Sequence, residues 1–422
     1  MGTAVHSGSD RAEGVDERVA CPLDPSHCVY KKRLQSHLQV CNVVRDEQEM
    51  SKEPFYRKNL NSGNNQAEEN ESESTVDPDE LLRKVNRCFE SLLSKGFILP
   101  SIIDVDNWNI CDRAAAEYQG LEDIILPAIG GDKQSHRQLR HIKQDAHIIQ
   151  RMMMHGLLDI ASDDNTVYVE LGAGKGELAY AVSSVKTNSK IVMVEKAGNR
   201  KKVDRSLRRA HNTNFHRVRI DIRHVYLPTC PGIRSDDSCR ACDDPTKLVI
   251  IAKHLCGVAT DLAIRSILPF QNDSDKKGDE RVQGLAIATC CHHALSYQDY
   301  TGIELLRHYN ISSKEFDVLK TWSGWINASR AAAGGSRSHT EGRADEEEEE
   351  NEHTFTEGKP NSTRPTGITT EEMVVLGRKI KRIFDAGRVQ HLQSLGFNSL
   401  QIQYCESSLS PECVMIIANR RK

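Results

Sequence analysis

Val167-Tyr-Val-Glu170-Leu-Gly172-Ala-Gly174-Lys-Gly176-Glu-Leu178 is the stretch that decides the fold. An apolar, β-prone run ends in three glycines at alternate positions and passes directly into a helical pattern. Glycines so placed let the backbone turn sharply and approach a ligand with no Cβ in the way. A dinucleotide site asks for GxGxxG, with pyrophosphate on the following helix N-terminus. Here the spacing is GxGxG, and the acid Glu170 leads it. A carboxylate at that place repels pyrophosphate and suits a cationic ligand.

Working outward, short β-rich runs recur at Thr166–Leu171, Lys190–Glu195, Phe215–Ile222, Lys247–Lys253 and Gln283–Cys290, most of them separated by helical segments. That alternation predicts a parallel sheet covered on both faces. The chain ends differently, with a long amphipathic helix from Thr370 to about Leu395. Strands at Ser399–Cys405 and Cys413–Ala418 follow, joined by a short turn as a hairpin. A mostly parallel Rossmann-like α/β sheet closed by a C-terminal antiparallel hairpin is the architecture of class I methyltransferases. The matching ligand is S-adenosylmethionine, whose ammonium and sulfonium suit Glu170 beside Gly172, Gly174 and Gly176. Glu195, ending the second strand, is placed to accept the ribose hydroxyls. Asp221, after the third, is placed to cap the adenine amine.

Near the N-terminus, Cys21-x5-His27-x9-His37-x3-Cys41 offers four ligands of the softness tetrahedral Zn²⁺ prefers. His37 and Cys41 are four apart and share one helical face. Cys28 stands beside His27 as an alternative ligand. A segment this short folds chiefly because metal binding supplies the free energy.

The remaining composition sets limits. The chain has 422 residues, 38% hydrophobic, 13 cysteines and a net charge of −4. Residues 1–20 carry no apolar leader core and no run of about 18 apolar residues exists to span a membrane. Spaced cysteines then point to metal or catalysis in a reducing intracellular compartment, cytoplasm or nucleus, rather than to secreted disulfides. The expected organisation is a zinc module at 18–45, a flexible linker at 46–77 and a catalytic domain at 78–422. Within the last, the Gly-, Ser- and Glu-rich stretch 330–366 is expected to be disordered. The mild overall charge hides local asymmetry, because Lys196–Arg209 contains seven Lys or Arg. Arg200, Lys201, Lys202, Arg205, Arg208 and Arg209 on that segment are candidate RNA phosphate contacts. A second basic stretch, His136–Lys143, precedes the first strand.

Taken with VYVELGAGKGEL, the strings KHLCGVATDLA and IATCCHHALSYQDYTG and the CHHC module resemble one family. It is the eukaryotic tRNA methyltransferases that modify the 2′-hydroxyl of the fourth acceptor-stem nucleotide. The resemblance runs from Cys21 to the C-terminus, linkers aside. It implies 2′-O-methylcytidine or 2′-O-methyladenosine as product, in tRNAs such as those for proline, glycine and histidine. Two departures stand out: the family's usual Asp at the end of the second strand is Glu195 here, and only His6 precedes Cys21 where many relatives carry a CCCH finger.

In an open α/β sheet the chemistry lies beyond the carboxyl ends of the strands. Lys253, His254 and Cys256-Gly257 fall at one such end, and Cys290-Cys291-His292-His293 at the next. Methylating a ribose hydroxyl needs alignment of oxygen on methyl and a destination for a weakly acidic proton. Lys253 is the first candidate base, with His254 and His292 next. Two other readings compete: a cytosine-5 RNA methyltransferase using Cys256 and Cys290, and a non-catalytic RNA-binding protein that uses only the zinc module. Cys230, Cys239 and Cys242 form an incomplete ligand set in the insertion between the third and fourth strands.

Overall fold

The computed structural model describes residues 17–66, 75–103, 120–121, 124–125, 136–161, 165–198, 204, 208, 214–233, 247–271, 281–327 and 364–421. It divides into two compact units, Met1–Tyr56 and Arg57–Lys422.

In the first unit, strands β1 (Arg18–Cys21) and β2 (Asp24–Tyr30) pair antiparallel. Helices α1 (Leu34–Val40) and α2 (Asn42–Met50) follow. Cys21 and Cys41 are its fully covered side chains, so the ligand cluster takes the place of a core.

In the second unit, α3 (Pro78–Ser94) starts where Asp77 accepts from the Asp79 and Glu80 amides, with Pro78 at the first helical position. Helix α4 (His136–Met154) leads to β3 (Thr166–Leu171), α5 (Glu177–Val185) and β4 (Lys190–Glu195). Then come β5 (Asn214–Arg219), β6 (Lys247–Leu255), α6 (Val258–Arg265) and β7 (Val282–Thr289). Helices α7 (Ile303–His308) and α8 (Ser313–Ser323) precede α9 (Thr370–Ser394), which a Thr369/Glu372 capping box opens. Strands β8 (Phe397–Gln403) and β9 (Val414–Arg420) end the fold.

The sheet order is β5-β4-β3-β6-β7-β9-β8. All pairs from β5 to β7 are parallel, and β9 pairs antiparallel with both β7 and β8. Strand order reverses beside β3, at the β3/β6 crevice, so the topology puts a ligand site where the glycine loop and the end of β6 meet. The inner strands read as unbroken apolar runs because both faces are covered.

Three expectations change. The third strand stops at Arg219, because Asp221 caps a 3₁₀ turn at Ile222–His224 by accepting from the Arg223 amide. Residues 46–77 are not a linker throughout: Asn42–Met50 is helical, and 57–66 lie as a strap along the catalytic unit. The buried Asn61 amide donates to Ile222 O and Val225 O at 2.6 and 2.9 Å. Asn65 donates to Tyr297 O and Tyr300 O, and Arg57 lies 3.6 Å over the Tyr226 ring. Polar side chains that satisfy carbonyls can fasten a segment as apolar ones do, and hydropathy does not register them. Most of 330–366, together with Cys239 and Cys242, lies outside the described residues; Cys230 is a buried core thiol.

Candidate active site

Gly172, Gly174 and Gly176 all take positive φ, at 68°, 50° and 90°. A Cβ on Gly172 would stand 2.6 Å from Leu255 Cδ1, so the glycine loop abuts the end of β6. Glu195 braces this loop: one carboxylate oxygen accepts from the Gly174 amide and the other from the Ala197 amide, both at 2.7 Å. It remains partly exposed at the mouth of the loop. Asp221 is half-buried at the tip of β5. Burial alone would raise its carboxyl, but the Arg223 amide and the Lys196 ammonium at 3.0 Å outweigh burial and hold it below the usual range.

Glu170 does not face the mouth of the loop. It is 3% exposed and accepts from the Ala179 amide at 3.0 Å, holding α5 to β3. Burial, and then neighbouring Asp145, push its carboxyl up to about 8.

Asp145 is a residue that sequence reasoning missed. Together with His141 and Gln144 it forms one face of α4 turned to the end of β6. Lys253 Nζ donates to Asp145 Oδ1 at 2.8 Å and to His141 O at 2.9 Å. Burial raises the Asp145 carboxyl to about 6 against the pull of Lys253, and its Oδ2 is buried with no hydrogen-bond partner. No local pattern marks Asp145, since Lys253 lies 108 residues away in sequence. His254 sits at φ +56°, a region non-glycine residues rarely enter, with its Nε2 3.3 Å from Gln144 Oε1.

His292 is 2% exposed. Its Nδ1 lies 2.9 Å from Cys290 O and its Nε2 2.8 Å from Asp385 Oδ1. Both ring nitrogens are turned to protein acceptors, so neither faces a substrate proton. That geometry makes His292 a positioning residue for the Cys290 turn, in place of the expected direct chemistry. Behind it, Arg388 bridges Asp385 and Asp261 at 3.0 and 2.6 Å.

Cys256, Cys290 and Cys291 gather at the same end of the sheet. Hydrogen bonding to Cys290 and Cys291 pulls the Cys256 thiol down, and the same contact with Cys256 pushes Cys290 up. Of the candidate RNA contacts, Arg208 is exposed over the Phe215 ring at 5.9 Å. It borders a cleft lined also by His216, Arg219 and Arg217, the last paired with Asp204 at 2.8 Å. Arg200, Lys201, Lys202, Arg205 and Arg209 lie outside the described residues.

In the first unit, donor atoms of Cys21, His27, His37 and Cys41 all lie within 4.8 Å of one another. The two Nε2 atoms are 3.0 Å apart and the two sulfurs 4.0 Å. These separations suit one tetrahedral ion with bonds of about 2.0–2.3 Å. Cys28 is exposed and outside the cluster, which His27 joins.

Comparison with known proteins bears on both units. The family model described as Methyltransferase TRM13 matches residues 143–419. The U11-48K-like CHHC zinc finger model matches residues 18–42. The mouse tRNA:m(4)X modification enzyme TRM13 homolog is 28% identical over 98% of this chain and 88% of its own length. Its human counterpart is 28% identical over 98% and 89%. In Saccharomyces cerevisiae the tRNA:m(4)X modification enzyme TRM13 is 25% identical over 98% and 87%.

Proposed function

The chain belongs to the TRM13 methyltransferase family, and on that premise we propose that it methylates tRNA. The methyl group passes from S-adenosylmethionine to the ribose 2′-hydroxyl of nucleotide 4 of the acceptor stem. That nucleotide is cytidine or adenosine, in tRNAs such as those for proline, glycine and histidine. The observation that carries this reading is the family match, which spans the glycine loop and the Lys253 and Cys290 turns that the sheet brings together. The CHHC finger at 18–42 and the basic cleft at Arg208 and Arg219 fit a nucleic-acid substrate. Among the described residues no helix is long and apolar enough to cross a membrane.

S-adenosylmethionine supplies an electrophilic methyl group on a sulfonium. The donor set suits it. Positive-φ glycines give close backbone approach, and Glu195 at the loop mouth and Asp221 at the tip of β5 are the candidates for the ribose hydroxyls and the adenine end.

For the acceptor, Lys253 is held by Asp145 and His141 O, so its ammonium orients an incoming oxygen. The proton released from the ribose hydroxyl goes to the Lys253–Asp145 pair, in which the carboxylate carries the open position. His254 lines the same turn. Such a proton acceptor is worth about 10²–10⁴ in rate. The cytosine-5 reading draws on Cys256, whose thiol is exposed and pulled down by its neighbours.

Transfer of labelled methyl from S-adenosylmethionine to total tRNA, with nucleoside analysis, tests the proposal. A 2′-O-methylnucleoside that survives Cys256→Ala and Cys290→Ala and falls with Lys253→Ala is expected. A 5-methylcytidine product lost with either cysteine would overturn it. Cofactor binding without transfer to any tRNA would leave the RNA-binding reading in its place.

A further inference from the structure

Outside the zinc module, three more sulfurs converge. Cys256 follows the last residue of β6, and Cys290 and Cys291 follow the last residue of β7. These strands are parallel neighbours with Leu255 opposite Thr289, so their register alone brings the cysteines together. The three Sγ atoms lie within 4.8 Å of one another, and those of Cys290 and Cys291 are 3.3 Å apart. None is in a disulfide. Sulfurs around one tetrahedral ion, with bonds of about 2.3 Å, stand roughly 3.8 Å apart. The triangle therefore needs adjustments of no more than about 1 Å.

The surrounding backbone is held in an unusual shape. His254 and Gly257 have φ of +56° and +53°. Ala294 O would lie 2.3 Å from a Cβ on Gly257, so the β6 and β7 turns are pressed together. The His292 ring fixes Cys290 O against Asp385. Strained conformations persist only where the surroundings over-determine them, and they cluster at ligand sites. Three thiolates select zinc and other soft ions over hard ones. Among the described residues no fourth His, Cys or carboxylate atom joins the group, and Cys256 is exposed, so the fourth position opens outward. Three protein ligands with one open position is the pattern of reactive zinc, whereas structural zinc is closed by four.

We propose that Cys256, Cys290 and Cys291 bind a second zinc ion, separate from that of the finger, with an open coordination position at the carboxyl ends of β6 and β7. Binding exchanges three S–H protons for three S–Zn bonds and releases the protons to solvent, with no change of oxidation state. The site stands whatever the methyl acceptor proves to be.

The test is the zinc content of the full chain, purified with a reductant and without chelator and measured by mass spectrometry against protein quantity. Wild type should hold two equivalents, and both Cys21→Ser/Cys41→Ser and Cys290→Ser/Cys291→Ser should hold one. Cobalt loaded into the Cys21→Ser/Cys41→Ser protein should show sulfur-to-metal charge-transfer absorption, absent once Cys256→Ser is added. Cys256 is exposed, so Cys256→Ser alone should lower the content towards one with an unchanged circular dichroism spectrum. That variant carries the test if the double substitution does not fold. One equivalent in wild type, lost with the finger cysteines and insensitive to the others, would overturn the proposal. So would a second equivalent that persists in Cys290→Ser/Cys291→Ser, or a disulfide within the trio of the reduced protein.

Discussion

Replacing Arg388 by Met tests whether a buried ionic network holds the strand-end turns. Arg388 is 1% exposed. Its guanidinium reaches Asp261 at 2.6 Å, Asp385 at 3.0 Å and Gly257 O at 3.0 Å. Burial works against this cation, but Asp261 and Asp385 outweigh burial and hold it charged. Methionine fills similar volume but removes the ion-pair partner of Asp261, leaving it the more distant Arg265 charge and the Thr301 hydrogen bonds, and leaves Asp385 with only His292 and Arg382 nearby. Removing one partner of a buried ion pair costs about 3–5 kcal/mol, mostly through the charge left behind. At about 2 °C per kcal/mol for a large domain, the melting temperature should fall by roughly 6–10 °C. Thermal unfolding followed by near-ultraviolet circular dichroism measures this, at low and at moderate salt. Buried charges are poorly screened, so both conditions should give the same loss. Asp261→Asn/Arg388→Met should recover part of it, since removing both partners strands less charge. A single-variant loss below about 1 kcal/mol, or strictly additive losses in the double, would refute the reasoning.

Three further outcomes are expected. Glu170, raised from 4.5 to about 8, keeps in the folded state a proton the unfolded chain has released. Wild type should therefore lose stability as pH rises between those values. Glu170→Gln still accepts from the Ala179 amide, so its unfolding midpoint should drop less from pH 5 to pH 9, and equal drops would refute the assignment. Asn61→Ala removes the side-chain donor to two buried carbonyls, Ile222 O and Val225 O, and should cost about 1–3 kcal/mol. The same change should expose residues 57–66 to limited proteolysis, and an unaltered cleavage pattern would show that the strap is held elsewhere. His27→Ala should lose the finger zinc while Cys28→Ser retains it, because only His27 joins the cluster; loss of zinc in Cys28→Ser would reverse the ligand choice.

Patterns local in sequence carried the fold. The glycine loop and the apolar runs located the parallel strands, and the run after Thr370 located α9 and the hairpin, because burial on both faces writes itself into hydropathy. The finger was legible for a similar reason: ligand spacing follows from a helix and a tight loop. What stayed hidden was long-range and polar. Asp145 lies 108 residues from Lys253 in sequence, and nothing local marks it as that lysine's partner. The strap looked like linker because Asn61, Gly63 and Asn65 fasten it by hydrogen bonds, which leave no apolar signature. His292 looked catalytic from its neighbours, yet its orientation is set by Asp385, 93 residues on.

The two halves of the site are braced by different parts of the fold. Glu195 ties the glycine loop to the end of β4, and Glu170 ties α5 to β3. The Lys253 and Cys290 turns are instead tied to α9, through Arg388 to Gly257 O and through Asp385 and His292 to Cys290 O. Substitutions in α9 are therefore expected to act first on the turns proposed to meet the methyl acceptor and on the thiol cluster. Substitutions at Glu195 act first on the donor loop. In steady-state methyl-transfer kinetics, Asp385→Asn is expected to lower kcat with little effect on KM for S-adenosylmethionine and Glu195→Gln to raise that KM; the reverse pattern would refute the division. The division follows from the sheet itself, since β3 and β4 carry one half and β6 and β7 the other, with the reversal of strand order between them.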